Sequence, residues 1–308
     1  MTYQATAISD DLITLPRMPP WVTSGRAETP EDVAVLSGAA LSHLHVVLTR
    51  EDVPQTLLRA RLALRAAERC VANTGRPERA GELRDAVGFL QPGDSPGPAG
   101  ETYLSWQRAV ERPVSLKALY RALPELEPEQ IATWLDGSDP CDGRGLRGAG
   151  QEGPMARAAS VLLAGLLDRP RDHTAALLCA DAVLAQALGW SHVMPLLSLG
   201  VERRDLQKEG AALRAACHRA VTAAAAEVVR EATDLTRRGG RLQVVAPKLR
   251  AKGADEAVAL FLARDAVAPT ALTSLRSDRA ARRFCDRLVE LGVVRELTGR
   301  DTFRLYGV

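Results

Sequence analysis

The sequence predicts an all-α protein: an irregular helical bundle that ends in a winged helix-turn-helix carrying a small β-hairpin. Three observations carry this expectation. Ala and Leu recur in long helix-favouring runs, while aromatic residues make up only 4% of the 308-residue chain. No internal repeat of fixed period occurs, which argues against a helical solenoid. The last fifty or so residues read as helix, helix, helix and hairpin, in that order.

Residues 1–28 read as an irregular N-terminal segment, because Pro16, Pro19 and Pro20 precede Trp21 and no periodicity is sustained. The helical body spans 29–240. Its first helix opens on Thr29-Pro30-Glu31-Asp32, where Thr29 can cap, Pro30 suits the first helical position and the acids favour the positive end of the dipole. Val33, Leu36, Ala40, Leu44 and Val47 form its apolar stripe. A second helix is expected over about Asp52 to Asn73, stopped by Gly75 and Pro77, and a third over Glu78 to Leu90. The block Gln91 to Gly100, with three prolines and three glycines, is expected to be non-helical. Short helices follow near Thr102–Val110, Ser115–Leu123 and Pro128–Leu135, then a glycine-rich loop at 137–153. Further helices are expected near Pro154–Leu167 and Asp172–Leu188, with Asp172 as cap and Gly189 as terminator. A long one should run from Glu209 to Arg238 and end at Gly239-Gly240.

Residues 241–308 are read as a linker helix and the winged helix-turn-helix. Helices Ala254–Asp265 and Pro269–Ser274 precede a third that Ser277 caps. Strands Val293–Leu297 and Thr302–Tyr306 follow. On the third helix Ala280, Ala281, Phe284, Leu288 and Leu291 form the packing face. In the hairpin Phe303 and Leu305 alternate with Thr302, Arg304 and Tyr306, so that one face covers the helices.

Charge is divided unevenly. From Arg237 to Val308 there are 15 basic and 8 acidic residues, a net of +7; the preceding 236 residues hold 25 and 30, a net of −5, which together give the overall +2. A basic terminal region on an acidic body is the electrostatic footprint of a polyanion-binding surface. Arg276, Arg279, Arg282, Arg283, Arg287, Arg300 and Arg304 are the candidate nucleic-acid contacts. They concentrate on the first half of the third helix, the part that a recognition helix places in the major groove, and on the hairpin. Winged helices also serve as protein-docking or structural caps, so a protein-interaction module without nucleic-acid binding is the alternative.

The strings Ser277-Asp278-Arg279-Ala280-Ala281-Arg282-Arg283, Leu288-Val289-Glu290-Leu291-Gly292, Arg295-Glu296-Leu297-Thr298-Gly299-Arg300 and Phe303-Arg304-Leu305-Tyr306-Gly307 resemble the C-terminus of a bacterial family. That family is the domain-of-unknown-function family numbered fourteen-hundred-and-three. Leu83-Arg84-Asp85, the Pro92 to Gly100 block, Leu188-Gly189-Trp190 and the tract Ala246 to Ala254 extend the match over most of the chain. The resemblance implies no activity. The terminal module is also similar to the winged helix behind the catalytic domain of Fic-type nucleotidyl transferases. The histidine-acid-glycine loop of those enzymes does not occur here, so their chemistry does not carry over.

Other site chemistry is sparse. There is no phosphate loop, dinucleotide fingerprint or nucleophile elbow. His43 and His45 lie two apart on a helix and point in different directions, and Cys217-His218 are adjacent; neither suits joint metal ligation. Asp136, Asp139 and Asp142 resemble a calcium loop in composition only. Five single cysteines, Cys70, Cys141, Cys179, Cys217 and Cys285, read as buried thiols in a reducing cytoplasm. Asp94 reads either as part of a ligand loop or as the cap of a connecting turn with Arg84 in an ion pair, and the connector is favoured. Trp21, Trp106, Trp134 and Trp190 are expected to anchor the core. No transmembrane run and no secretory signal are seen. The expectation is a cytoplasmic DNA-binding regulator or accessory protein, with no cofactor, no metal and no membrane partner, that also associates with itself or with a protein.

Overall fold

The computed structural model describes residues 15–25, 27–136, 153–300 and 302–308. It is mostly helical, with thirteen α-helices and one two-stranded sheet among the described residues. The segment expected to be irregular contains one helical turn, α1 (Pro20–Ser24), with proline at its first position. Trp21 is 56% exposed there and anchors no core, unlike Trp106 and Trp134, which are buried.

α2 (Pro30–Leu48) starts at the expected cap. Thr29 Oγ1 accepts from the Asp32 N–H at 3.1 Å, and Asp32 Oδ2 accepts from the Thr29 N–H at 3.0 Å. Its buried stripe, Val33, Ala40, Leu44 and Val47, packs along α11 (Gly210–Val245). With a mean hydropathy of 1.2, α2 is long and apolar enough by composition to cross a membrane, but this stripe is committed to the protein core. α3 (Gln55–Asn73), α4 (Ala80–Gly88) and α5 (Gly97–Glu111) form the next layer. α5 begins four residues inside the block expected to be non-helical. Pro98 sits in its first turn, where the missing N–H has no intrahelical partner to lose.

After α6 (Leu116–Ala122) and α7 (Pro128–Asp136), residues 137–152 of the expected glycine-rich loop lie outside the described residues. α8 (Pro154–Asp168) pairs with α9 (His173–Ala187), whose cap is Asp172 as expected, accepting from the Ala175 N–H at 3.3 Å. α9 is buried without interruption from Ala175 to Ala185 and touches α3, α5, α7, α8 and α10 (Leu196–Gly200). A helix that is apolar all round belongs at the centre. Its one acid, Asp181, is fully buried. It accepts from the Leu197 N–H at 2.8 Å, the Ser198 N–H at 3.1 Å and the Ser198 hydroxyl at 2.6 Å. The carboxyl thus caps the short α10 from another helix.

α11 does not stop at Gly239-Gly240. It runs on to Val245 and ends where Pro247 follows. A Cβ on buried Gly239 would lie 3.3 Å from Leu262 Cδ2, so the bare position lets the terminal segment approach. Packing there outweighs the roughly 1 kcal/mol propensity cost of glycine.

The terminal segment holds α12 (Ala254–Phe261), a 3-10 turn at Pro269–Ala271, α13 (Asp278–Glu290), β1 (Arg295–Glu296) and β2 (Tyr306–Gly307). The expected order is observed, with helices and strands shorter than expected. Ser277 caps α13, accepting from the Ala280 N–H at 3.2 Å. The strands pair antiparallel, Arg295 with Gly307 and Glu296 with Tyr306, and Val267 bridges to Tyr306 from the other side. Gly253 enters α12 at φ +85°, where a Cβ would lie 2.2 Å from the Ser274 carbonyl oxygen, so only glycine fits. The expected alternation in the second strand fails: Leu305 and Tyr306 are both buried, whereas Phe303 is 72% exposed at φ 56°. The chain bends there and the two-residue period of a strand does not apply.

Burial pushes Asp181 up to about 7 despite hydrogen bonds that favour the carboxylate. Its folded value lies above the unfolded 3.8, so the folded state holds the extra proton and this contribution to stability is lost as pH rises towards 7. The loss is on the order of 4 kcal/mol. Urea midpoints should fall between about pH 4 and pH 7, and Asp181→Asn should flatten that slope. An identical pH profile in the variant would refute this assignment.

Candidate functional site

Asp265 lies just past α12, in a stretch of small apolar residues, and is 3% exposed. A buried carboxylate needs cations and donors. Two arginines from the body supply them. Arg84 of α4 donates from Nε to Oδ2 at 2.5 Å and from Nη2 to Oδ1 at 3.3 Å, and Arg61 of α3 donates from Nε to Oδ1. Arg61 also reaches the Val308 carbonyl at 3.2 Å and Glu231 of α11 at 3.5 Å. Arg65, one turn on, pairs with Glu227 and lies 3.7 Å from Glu231. Three guanidiniums thus meet three carboxylates, and the cluster is neutral. Burial works against the Arg84 charge, but the hydrogen bond and charge of Asp265 outweigh it and raise its pKa. Burial first, and then the Asp265 charge, push the Tyr103 phenol up, so it stays protonated beside them.

The backbone is fitted to this centre. A Cβ on Gly307 would lie 2.5 Å from the Asp265 carbonyl oxygen. Around it the hairpin docks on α4. Arg300 Nη2 pairs with Asp85 at 2.5 Å, the Phe303 ring meets Phe89 edge to face at 5.7 Å, and Leu305 covers Gly88. Below this contact lies a cavity of 490 Å³ walled by α3, α4, α5 and residues 263–271.

The outer side of the terminal segment carries the candidate nucleic-acid contacts. α13 buries Ala281, Phe284, Cys285 and Leu288 against the segment. Cys285 takes the place expected for Leu291, which is 37% exposed. Arg276, Arg279, Arg282 and Arg283 are exposed and make no ion pair among the described residues, so the first half of α13 presents three unneutralised cations and Arg276, just before its cap, a fourth. Arg287 is paired with Glu290 at 3.0 Å, and Arg300 with Asp85. Arg304 is half-buried, and its Nε donates to the Arg300 carbonyl at 2.8 Å. The seven residues therefore divide into an open helix face and a hairpin group engaged with the protein.

Remaining candidates have structural partners. Asp94 Oδ2 accepts from the Gln91 N–H at 2.9 Å, capping a turn, while Arg84 forms its ion pair with Asp265. His43 bonds to the Pro16 carbonyl, His45 accepts from the Trp190 indole, and His218 meets Ser37. Burial pushes Cys70, Cys179, Cys217 and Cys285 up to about 12, so none is a thiolate at neutral pH. Cys141, Asp139 and Asp142 lie outside the described residues. The charge cluster at Asp265 escaped the sequence reading. Its signal was Arg61 and Arg65 four apart on a mostly buried helix, matched by Glu227 and Glu231 four apart on another.

Residues 6–308 match a family model described as Protein of unknown function (DUF1403). No curated protein matches the chain.

Asp265→Ala leaves Arg61 and Arg84 buried without their shared anion. Unfolding by urea should show a loss of about 3–5 kcal/mol. Arg300→Ala, whose side chain is 55% exposed, should cost about 1 kcal/mol or less. Equal effects of the two substitutions would contradict the central place of Asp265.

Proposed function

The chain belongs to the DUF1403 family, and from its surface we propose that residues 254–308 act as a winged helix that sets α13 in the major groove of DNA. The order of α12, the 3-10 turn, α13, β1 and β2, with Val267 bridging to Tyr306 beside the two-stranded sheet, supports the winged-helix reading and its similarity to the Fic-associated module. The observation that carries the DNA reading is the open set Arg276, Arg279, Arg282 and Arg283 at the start of α13, where a recognition helix meets base edges and phosphates. On this reading the protein is a cytoplasmic regulator or accessory factor, and its acidic helical body holds the module and contacts other protein chains. Arg300 and Arg304 are held by the protein, so the helix is the primary contact and the hairpin follows only if it leaves α4.

A second reading has one observation in its favour. Val289 and Leu291, 38% and 37% exposed, are the large apolar groups at the far end of α13. They suit a protein-docking face.

Fluorescence anisotropy on random-sequence duplex DNA separates the two. Four phosphate contacts imply an affinity that falls by roughly two orders of magnitude between about 50 and about 200 mM salt. Arg282→Glu with Arg283→Glu should abolish binding while leaving the circular dichroism spectrum unchanged. No binding at low salt would sink the DNA reading. Partners that survive nuclease treatment but need Val289 and Leu291 would then support the docking reading.

A further inference from the structure

The cavity between the body and the terminal segment has a chemical composition that the DNA reading does not use. At 490 Å³ it is within the size range of small-ligand sites. Val87, Val110 and Leu305 give it apolar walls. Its charged lining is Arg59, Arg84 and Arg264 against Glu111 and Asp265, a net of +1. Arg84 and Asp265 neutralise each other. Among the described residues Arg59 has no such partner. Its Nε is enclosed without a hydrogen bond, and its Nη2 reaches only Thr56 Oγ1 at 3.4 Å.

Arg59 therefore departs from the pattern set by its neighbours. Arg61, Arg65 and Arg84 each have a carboxylate. A half-buried guanidinium without an anion bears a desolvation cost that no group among the described residues offsets. Arg59 also borders a second cavity of 200 Å³, which contains no acid; His192 there is held below its usual range by burial and by the Arg59 charge. On both sides, then, the missing element is an anion.

We propose that the larger cavity binds a small organic carboxylate with an apolar body. Its carboxylate takes the Arg59 guanidinium and its body lies against Val87, Val110 and Leu305. A planar fork of donors matches a carboxylate in two-point contact, and the apolar wall selects for carbon skeleton over a bare inorganic ion. Leu305 and residues 263–271 belong to the terminal segment and the other walls to the body, so the ligand spans the two. The proposal is independent of DNA binding.

The test uses the full chain with benzoate and octanoate as probes and inorganic phosphate as the anion without an apolar body. Thermal unfolding and calorimetric titration should show stabilisation by a carboxylate probe and little by phosphate. Arg59→Gln should weaken that binding tenfold or more, as expected for a charge-assisted contact. Ala60→Phe fills the cavity but leaves the charge, and it should weaken binding as much. It carries the test if Arg59→Gln does not fold. Arg282→Glu with Arg283→Glu should bind the probe as the native chain does. Absence of binding by either carboxylate, phosphate binding of equal strength, or full binding by Ala60→Phe would overturn the proposal.

Discussion

The Asp265 carboxylate is the constraint on which the arrangement of this molecule depends. It is withdrawn from water, and Arg61 and Arg84 are the cations that reach it. Those two arginines sit on different helices, so satisfying the acid fixes α3, α4 and the segment after α12 relative to one another at once. A buried ion cluster contributes modestly to net stability, because desolvation consumes much of the attraction. Its strength is selectivity. A terminal segment shifted by one residue would leave Asp265 and Arg84 unpaired and Arg61 with Glu231 alone, whereas apolar packing alone would tolerate the shift.

This inner attachment decides what the outer face offers. The hairpin, which extends into solvent when a winged helix uses it on a minor groove, is here pressed on α4 through Arg300, Phe303 and Leu305. The basic excess of the terminal region is thereby sorted. Some cations face inward or sideways against acids, and those at the start of α13 keep their full charge towards solvent. Position relative to acids, more than the number of arginines, decides which face keeps its positive charge uncompensated.

Legibility in the sequence follows the range of the interaction. The Thr29 and Ser277 caps, most of the helical stripe of α2 and the packing face of α13 apart from Leu291 are set by neighbours within four residues, and they read correctly. Gly239 misled because a glycine pair usually ends a helix; here it is spared a side chain so that Leu262 can approach. The strands shrank to two residues because Phe303 takes a left-handed bend that no local pattern announces. Asp265 was unreadable for a stronger reason. Its partners stand 181 and 204 residues earlier, and nothing in either neighbourhood names the other. Arg84 could be assigned an ion pair from its sequence context, but not the acid that forms it. Residue 59 is silent in sequence for the same reason.

That separation has a temporal side. A ribosome adds about 5–20 residues per second, so Arg61 and Arg84 are added on the order of ten to forty seconds before Asp265. During that interval the body can collapse around α9 and Arg61 can meet Glu231, but Arg84 stays without its acid and the faces of α3 to α5 remain open. Closure of the molecule then waits on this acid and on the hairpin that follows it. A nascent chain stalled short of residue 265 would be a body with Arg84 unpaired and an uncovered apolar face, a natural substrate for chaperones and proteases.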